Sequence, residues 1–476
     1  MKEIENLTRR DLLKGAATAA AAGAASAAIV PRHVLGGPGN TAPSDTVYVA
    51  GIGLGTMGRF DVRTSDLAGS KIAALCDVDN EAPKSVVEMF PKAERYDDFR
   101  RLLDEEKGID AVIVATPDHA HALISLAAME HGLHVYCEKP LAHTMYEVRR
   151  LQEAAVYHGV ATQLGNQGHS YASNHEFCEA IWSGVIGTVR EIHVVEAAFN
   201  FSRIEDLPRL EEKHPVPKSL NWDRWLGPAA ERSYHPLYHP GLWRCFRAFG
   251  SGMIGDFVCH IVDPVFTALQ LGAPSSVHAE VADGYDPQKH GDTFPRSSKV
   301  RFEFPEAKLA NGGVRPALTM YWYDGDVFAP PHPEELGPDE VSIPLLGGRG
   351  AVGGLVVGDR GKITYASHGA AQWRILPEER MDEYMADRSR VEDERGVGMP
   401  NNFEHHEDFL QACRGYKVAG SHFGHGGPLT EIAMLGNVAL MFPEDTLAWD
   451  AENMTIPNRP DANAHLHYRY RDGWTL

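Results

Sequence analysis

The sequence predicts an α/β protein, on three observations. From residue 46 to about 164, short hydrophobic runs alternate with helical stretches, the pattern of β-α-β units on a parallel sheet. The first run leads straight into glycines at G-x-G-x-x-G spacing. Beyond residue 165 the alternation gives way to longer strands, a Pro- and Trp-rich stretch and late helices. The boundaries read from this are 1–30 for a targeting segment, 31–45 for a Gly/Pro-rich linker, 46–164 for a nucleotide-binding domain and 165–476 for a second domain.

The segment Thr8-Arg9-Arg10-Asp11-Leu12-Leu13-Lys14 precedes an alanine-rich run over 16–30. That run is too short and too poor in Leu and Ile for a membrane span or anchor. It resembles a twin-arginine signal, with a small-residue cleavage site at Ala25-Ser26-Ala27, and implies export to the periplasm. The net charge of −20 excludes a nucleic-acid surface, because no basic run follows the first residues. Six cysteines are widely spaced and form no CxxC pair, so they read as buried free thiols and not as a disulfide framework or zinc site. No metal is expected.

The strand over 46–50 meets Gly53, Gly55 and Gly58. The first glycine permits the turn, the second lets backbone approach a pyrophosphate, and the third lets the next helix, beginning near Thr56 and Met57, pack on the strand. A second strand, 71–77, ends in Asp77. A carboxylate there accepts from ribose hydroxyls and repels a 2′-phosphate, so NAD is favoured over NADP. These features make the first domain a Rossmann domain. The strand over 111–115 ends in Thr116-Pro117-Asp118-His119-Ala120-His121 and a helix over 122–131. Thr116 and Pro117 face the nicotinamide side, and His121 reads either as a cofactor contact or as a turn residue. The next strand, 133–137, ends in Glu138-Lys139-Pro140. Lys139 then lies where open α/β sheets bind ligands, or simply pairs with Glu138 in solvent. A strand over 160–164 leads to Asn166, Gln167 and His169, a polar turn facing the same cleft.

With Gly255-Asp256-Phe257-Val258-Cys259-His260 added, the order of motifs resembles the glucose–fructose oxidoreductase, inositol dehydrogenase and rhizopine-catabolism family (Gfo/Idh/MocA) over nearly the whole chain. The resemblance implies a C-terminal α+β domain with a large open, mostly antiparallel sheet, and pairing of chains into a dimer or tetramer. It also implies catalytic roles for Lys139, Asp256 and His260, with Glu138 and Lys139 at the cofactor, Lys139 reaching both the reacting hydroxyl and the nicotinamide region. Asp256 and His260, four residues apart, share one face if the segment is helical. A histidine titrates near neutral pH and suits proton transfer, and a lysine cation suits a developing alkoxide.

Strands are predicted at 190–200, 276–282, 298–304, 317–323 and 353–358, with a hairpin turn at 358–362. Residues 215–240 form an irregular insertion. Tyr238, Trp243 and Arg244 in and after it, with His169, Asp256 and His260, are the candidates for binding a sugar, though the aromatics equally suit a core. The helix over 401–414 carries His405 and His406, read as a solvated face, and another helix is predicted at 429–441. The leading expectation is an NAD-dependent oxidoreductase of a carbohydrate or polyol. The alternatives are an NAD-dependent glycosidase working by transient oxidation and elimination, and a non-catalytic sugar binder.

Overall fold

The computed structural model describes residues 45–81, 83–388 and 402–476. The expected signal segment and most of the linker lie outside them. Residues Val47–Leu476 form one compact unit.

Its first part is a six-stranded parallel sheet in the order β3-β2-β1-β4-β5-β6. The strands are β1 (Tyr48–Ile52), β2 (Lys71–Cys76), β3 (Glu94–Tyr96), β4 (Ala111–Val114), β5 (His134–Glu138) and β6 (Thr162–Gly165). Helices cover both faces, so central strands such as β4 are buried at every residue and read as unbroken apolar runs. Three helices matter for the site: α1 (Thr56–Leu67), α2 (Asp118–Glu130) and α3 (Met145–His158). The last starts in a Thr144/Glu147 capping box and stops at Gly159, whose φ of 63° suits a residue without Cβ.

The second part is a nine-stranded, mostly antiparallel sheet. Its strands are β7 (Val189–Glu196), β8 (Ser276–Val281), β9 (Ser298–Phe304), β10 (Leu318–Asp324), β11 (Gly350–Gly358), β12 (Lys362–Ala366), β13 (Arg374–Leu376) and β14 (Thr446–Ala448). They are ordered β13-β12-β11-β7-β10-β9-β8-β14, and Leu345–Leu346 pairs with β11 as the ninth. Only β7 and β10 run parallel. The predicted hairpin at 358–362 joins β11 to β12. Four helices pack on this sheet or join it to the first: α4 (Gly252–Ile261), α5 (Asp263–Leu269), α6 (Asn402–Cys413) and α7 (Phe423–Ala439). No single helix among the described residues is long and apolar enough to cross a membrane.

Two readings change. The helix predicted at 429–441 begins earlier: Phe423 to Pro428 are the first part of α7, and His422 is its N-cap. Its glycines serve close packing: a Cβ on Gly426 would lie 2.8 Å from Leu164, and one on Gly427 would lie 2.5 Å from Gln152. His405 and His406 are fully buried, not solvated. The ring of His406 stacks on Tyr136 at 4.6 Å, and His405 Nε2 meets the Leu164 carbonyl at 2.8 Å, so α6 docks on the Rossmann sheet through both. All six cysteines are free thiols, five of them buried and Cys413 half-buried.

Burial sets two opposed groups of titrating side chains. Desolvation pushes Asp61 and Glu196 up to about 8, Asp118 and Glu147 up to about 7, and Asp77 and Asp324 up to about 6. It pushes His119, His405 and His406 down to about 3, and His121, His143 and His368 down to about 4. Among these groups, from about pH 4.5 to 5.5 the folded chain holds six carboxyl protons that the unfolded chain has released, and lacks six that unfolded histidines bind. Those contributions cancel. From about pH 6.5 to 8 only the carboxyls differ, the folded state binds more protons, and stability falls as pH rises. Below about pH 4 the histidines and the depressed carboxyls of Asp256 and Asp263 differ, the unfolded state binds more protons, and stability falls with acidification. The calorimetric Tm is therefore expected to peak between about pH 5 and 6.5. A Tm that climbs steadily up to pH 8 contradicts this.

Candidate active site

A cleft of about 330 Å³ opens at the carboxyl ends of β1, β2 and β4. Gly53, Gly55, Thr56, Met57, Asp77, Thr116 and Pro117 line one wall. The insertion and the chain terminus supply the other, through Arg224, Trp225, His239, Trp243, Arg244 and Trp474.

The glycine loop has the shape a dinucleotide needs. Gly53 has φ +82°, and a Cβ there would strike the backbone of Ala115 and Thr116 within 2.8 Å. A Cβ on Gly58 would lie 1.8 Å from the Gly53 carbonyl, so only glycine lets α1 begin this close to the strand. Gly55 faces open space, with nothing within 4 Å of its Cβ position, at the amino end of α1. Free backbone N–H groups at that end suit a pyrophosphate. The Asp77 carboxylate accepts from Leu54 N at 2.7 Å and from Asp79 N at 2.9 Å, which fixes it at the cleft's end with lone pairs to spare. Burial outweighs these bonds and raises its pKa to about 6.

At the opposite end Lys139 leaves β5 and reaches α4. Its Nζ donates to Asp256 Oδ1 at 2.5 Å and to the Asp256 carbonyl at 3.2 Å. Arg244 Nε is 3.4 Å from the same Oδ1, while its guanidinium lies 4.1 Å from the Trp243 ring centre. Burial opposes the charge on Lys139, but Asp256 more than restores it and the pKa rises. Burial likewise opposes the Asp256 charge, but Lys139 and Arg244 prevail and its pKa falls. Two cations therefore share one anion, a net positive cluster bordering the cleft.

His260 lies one turn along α4, as its spacing from Asp256 predicts. It is buried, its Nδ1 has no hydrogen-bond partner, and its ring stacks on His368 at 4.0 Å. Burial, then the neighbouring His368 and Lys139 charges, hold its pKa well below the usual histidine value, so it is neutral.

Three Rossmann side chains position α4. Asp118 Oδ2 accepts from Ser251 N at 3.0 Å. His119 meets the Phe249 and Trp225 carbonyls at 3.3 and 3.1 Å, and His143 meets the Gly250 carbonyl at 3.2 Å. The turn that starts α4 is thus gripped from β4 and β5, and Asp256 is set opposite Lys139.

Several candidates fall elsewhere. His121 is buried with its nitrogens 2.8 Å from the Thr116 and Pro140 carbonyls, tying two strand-end turns together behind the cleft. Glu138 points away from Lys139 Nζ, into a buried layer where Gln167 Nε2 donates to it at 2.8 Å and to Tyr136 at 3.3 Å. Burial, with Asp61 adjacent, raises Glu138 well above the usual carboxyl range, against the opposing pull of the Lys139 charge. Asn166 is buried and accepts from Ser421 at 2.6 Å. None of these four lines the cleft. Tyr238 packs edge-on between Phe246 and Phe249 in the insertion's core. His169 pairs with Asp263, not with Lys139 or His260. The sequence reading missed His368 and the return of the chain end, where Trp474 lines the cleft beside Arg100. A lone histidine in a turn and a terminal tryptophan give no periodic signal.

Comparison with known proteins agrees with this layout. Residues 47–166 match a family model described as an oxidoreductase family, NAD-binding Rossmann fold. Residues 177–309 match its companion, an oxidoreductase family C-terminal alpha/beta domain. The two cover more than half of the chain. An inositol 2-dehydrogenase/D-chiro-inositol 3-dehydrogenase of Shouchella clausii is 38% identical over 117 residues, 24% of this chain and 34% of that protein. Inositol 2-dehydrogenase 1 of Saccharopolyspora erythraea is 34% identical over 158 residues, 32% of this chain and 45% of that protein. The matched stretch thus spans less than half the length of these relatives. An inositol dehydrogenase homolog from Azotobacter vinelandii, solved with NADH and myo-inositol, shares the fold with a TM-score of 0.54 at 17% identity, over 85% of this chain and 98% of that one.

Proposed function

The chain belongs to the Gfo/Idh/MocA oxidoreductase family, and from that membership we propose that it is an NAD-dependent oxidoreductase acting on a hydroxyl of a carbohydrate or polyol. The observation that carries the reading is the cluster of Lys139, Arg244 and Asp256 one helical turn from a neutral His260. A binding protein has no use for a lone proton acceptor beside a shared cation pair.

The residues present fit NAD: a glycine cradle that a Cβ would fill at Gly55, a free helix end, and a carboxylate at Asp77. Gly53, Gly55, Thr56 and Met57 hold the phosphates, and Asp77 the ribose. When bound, NAD supplies the hydride acceptor or donor. This chain's residues do the rest. Lys139 and Arg244 draw negative charge onto the reacting oxygen. Asp256 keeps both cations in place. His260 takes the hydroxyl proton. As a carbinol C–H bond breaks, its O–H turns acidic, so a weakly basic imidazole suffices as acceptor. Trp243 and Arg244 border the space left for the sugar.

The purified protein is expected to bind NAD with marked preference over NADP in calorimetric titration, and to reduce it with at least one member of a polyol and aldose panel. Cleavage of an aryl glycoside without net cofactor change supports transient oxidation and elimination instead. A protein with no affinity for NAD overturns both. Export by the twin-arginine route and assembly into a dimer or tetramer are further proposals, tested by cell fractionation and by light scattering.

A further inference from the structure

A second cluster of chemically active side chains comes from three elements far apart in the chain. His169 lies in the short 3-10 turn after β6, Asp263 opens α5, and His425 lies in the first turn of α7. His169 Nδ1 is 2.9 Å from Asp263 Oδ2 and 3.2 Å from Oδ1, and His425 Nε2 is 2.7 Å from Oδ1. The two rings are 4.6 Å apart, and one ligand atom from each of the three residues lies within 4.8 Å of the others.

We propose that His169, Asp263 and His425 bind one divalent transition-metal ion of the zinc class, leaving at least one coordination position to water. Three observations support it. First, ligands about 2.1 Å from an ion and roughly 90–109° apart lie about 3.0–3.4 Å from each other. The nitrogen–oxygen spacings of 2.7 to 3.2 Å reach that range with shifts of a few tenths of an ångström. Second, the Asp263 side chain is 2% exposed, yet among the described residues its carboxylate meets only the two histidines and no Lys or Arg. A buried carboxylate calls for a counter-charge, and two imidazoles with a metal ion supply one. Third, the histidine side chains remain 12% and 16% exposed, which leaves an entry path.

The cluster is a neighbour of the catalytic residues: Asp263 follows His260 across a 50° bend between α4 and α5, and Gly168 packs on the backbone of His368, whose ring covers His260.

The test uses the full chain stripped with a chelator and titrated with zinc chloride by calorimetry against a competing chromophoric chelator. One zinc per chain is expected. His169→Ala, His425→Ala and the isosteric Asp263→Asn should each weaken binding by about 100-fold or more. His422→Ala, at the neighbouring helix cap, should leave binding unchanged. Cobalt(II) in place of zinc should show visible d–d bands that the three variants lose. Circular dichroism checks that each variant is folded. For any that is not, anomalous diffraction at the zinc edge on wild-type crystals decides, by a peak within bonding distance of all three residues or by none. Failure of the folded wild type to bind zinc, or wild-type affinity in His425→Ala, overturns the proposal. None of these readouts involves turnover, so they stand apart from the oxidoreductase reading.

Discussion

Replacing Lys139 with methionine should lower kcat/KM by about 10³, because the charge that stabilises the reacting oxygen is removed from a site with little water. NAD affinity should change by less than about threefold, since Lys139 does not line the dinucleotide cleft. The fold should survive. Asp256 keeps Arg244 at 3.4 Å, so its carboxylate is not left bare, and the cost should fall below the roughly 3–5 kcal/mol of an orphaned buried charge. Steady-state kinetics, NAD titration and Tm check the three parts. Near-wild-type turnover in Lys139→Met removes the lysine from the mechanism. A large loss of NAD affinity would instead make it a cofactor residue.

The second large effect concerns His260. Its alanine variant should lower kcat by about 10² to 10⁴, the usual worth of a positioned acid or base. The pH profile gives the sharper signature. Only the neutral imidazole accepts a proton, and burial, His368 and Lys139 all hold its pKa down. The acid limb of the wild-type profile should therefore lie below pH 6.5, the ordinary histidine value. His260→Ala should lose that limb along with the rate. An unchanged profile in the variant would assign the limb to another group.

Much of this was legible in the sequence, and the reasons differ by element. The Rossmann strands are buried on both faces, so β1, β4 and β5 appear as plain apolar runs. The glycines were readable because each answers a steric demand, and the Asp256/His260 pair because helical spacing is local. What was not readable lies in long-range packing. The strands Glu94–Tyr96, Arg374–Leu376 and Thr446–Ala448 are three residues each, too short to show a period. Gln167 reads as facing the cleft from its polar turn, and Glu138 as a cofactor contact by resemblance, yet their side chains turn into the buried layer against Tyr136. His405 and His406 looked amphipathic on their own helix, and only the docking of α6 buries them. Asp263 was invisible as a partner because His169 and His425 lie 94 and 162 residues away.

The most direct measurement is a single turnover. Wild-type protein loaded with NAD is mixed with a panel of polyols and aldoses, and the near-ultraviolet band of reduced nicotinamide is followed. At least one compound should raise that band in the wild type, with the rise much slower in Lys139→Met at equal NAD occupancy. NAD that stays oxidised with every compound and leaves every glycoside intact, or a Lys139→Met variant as fast as wild type, would contradict the assignment of this cluster as a catalytic site.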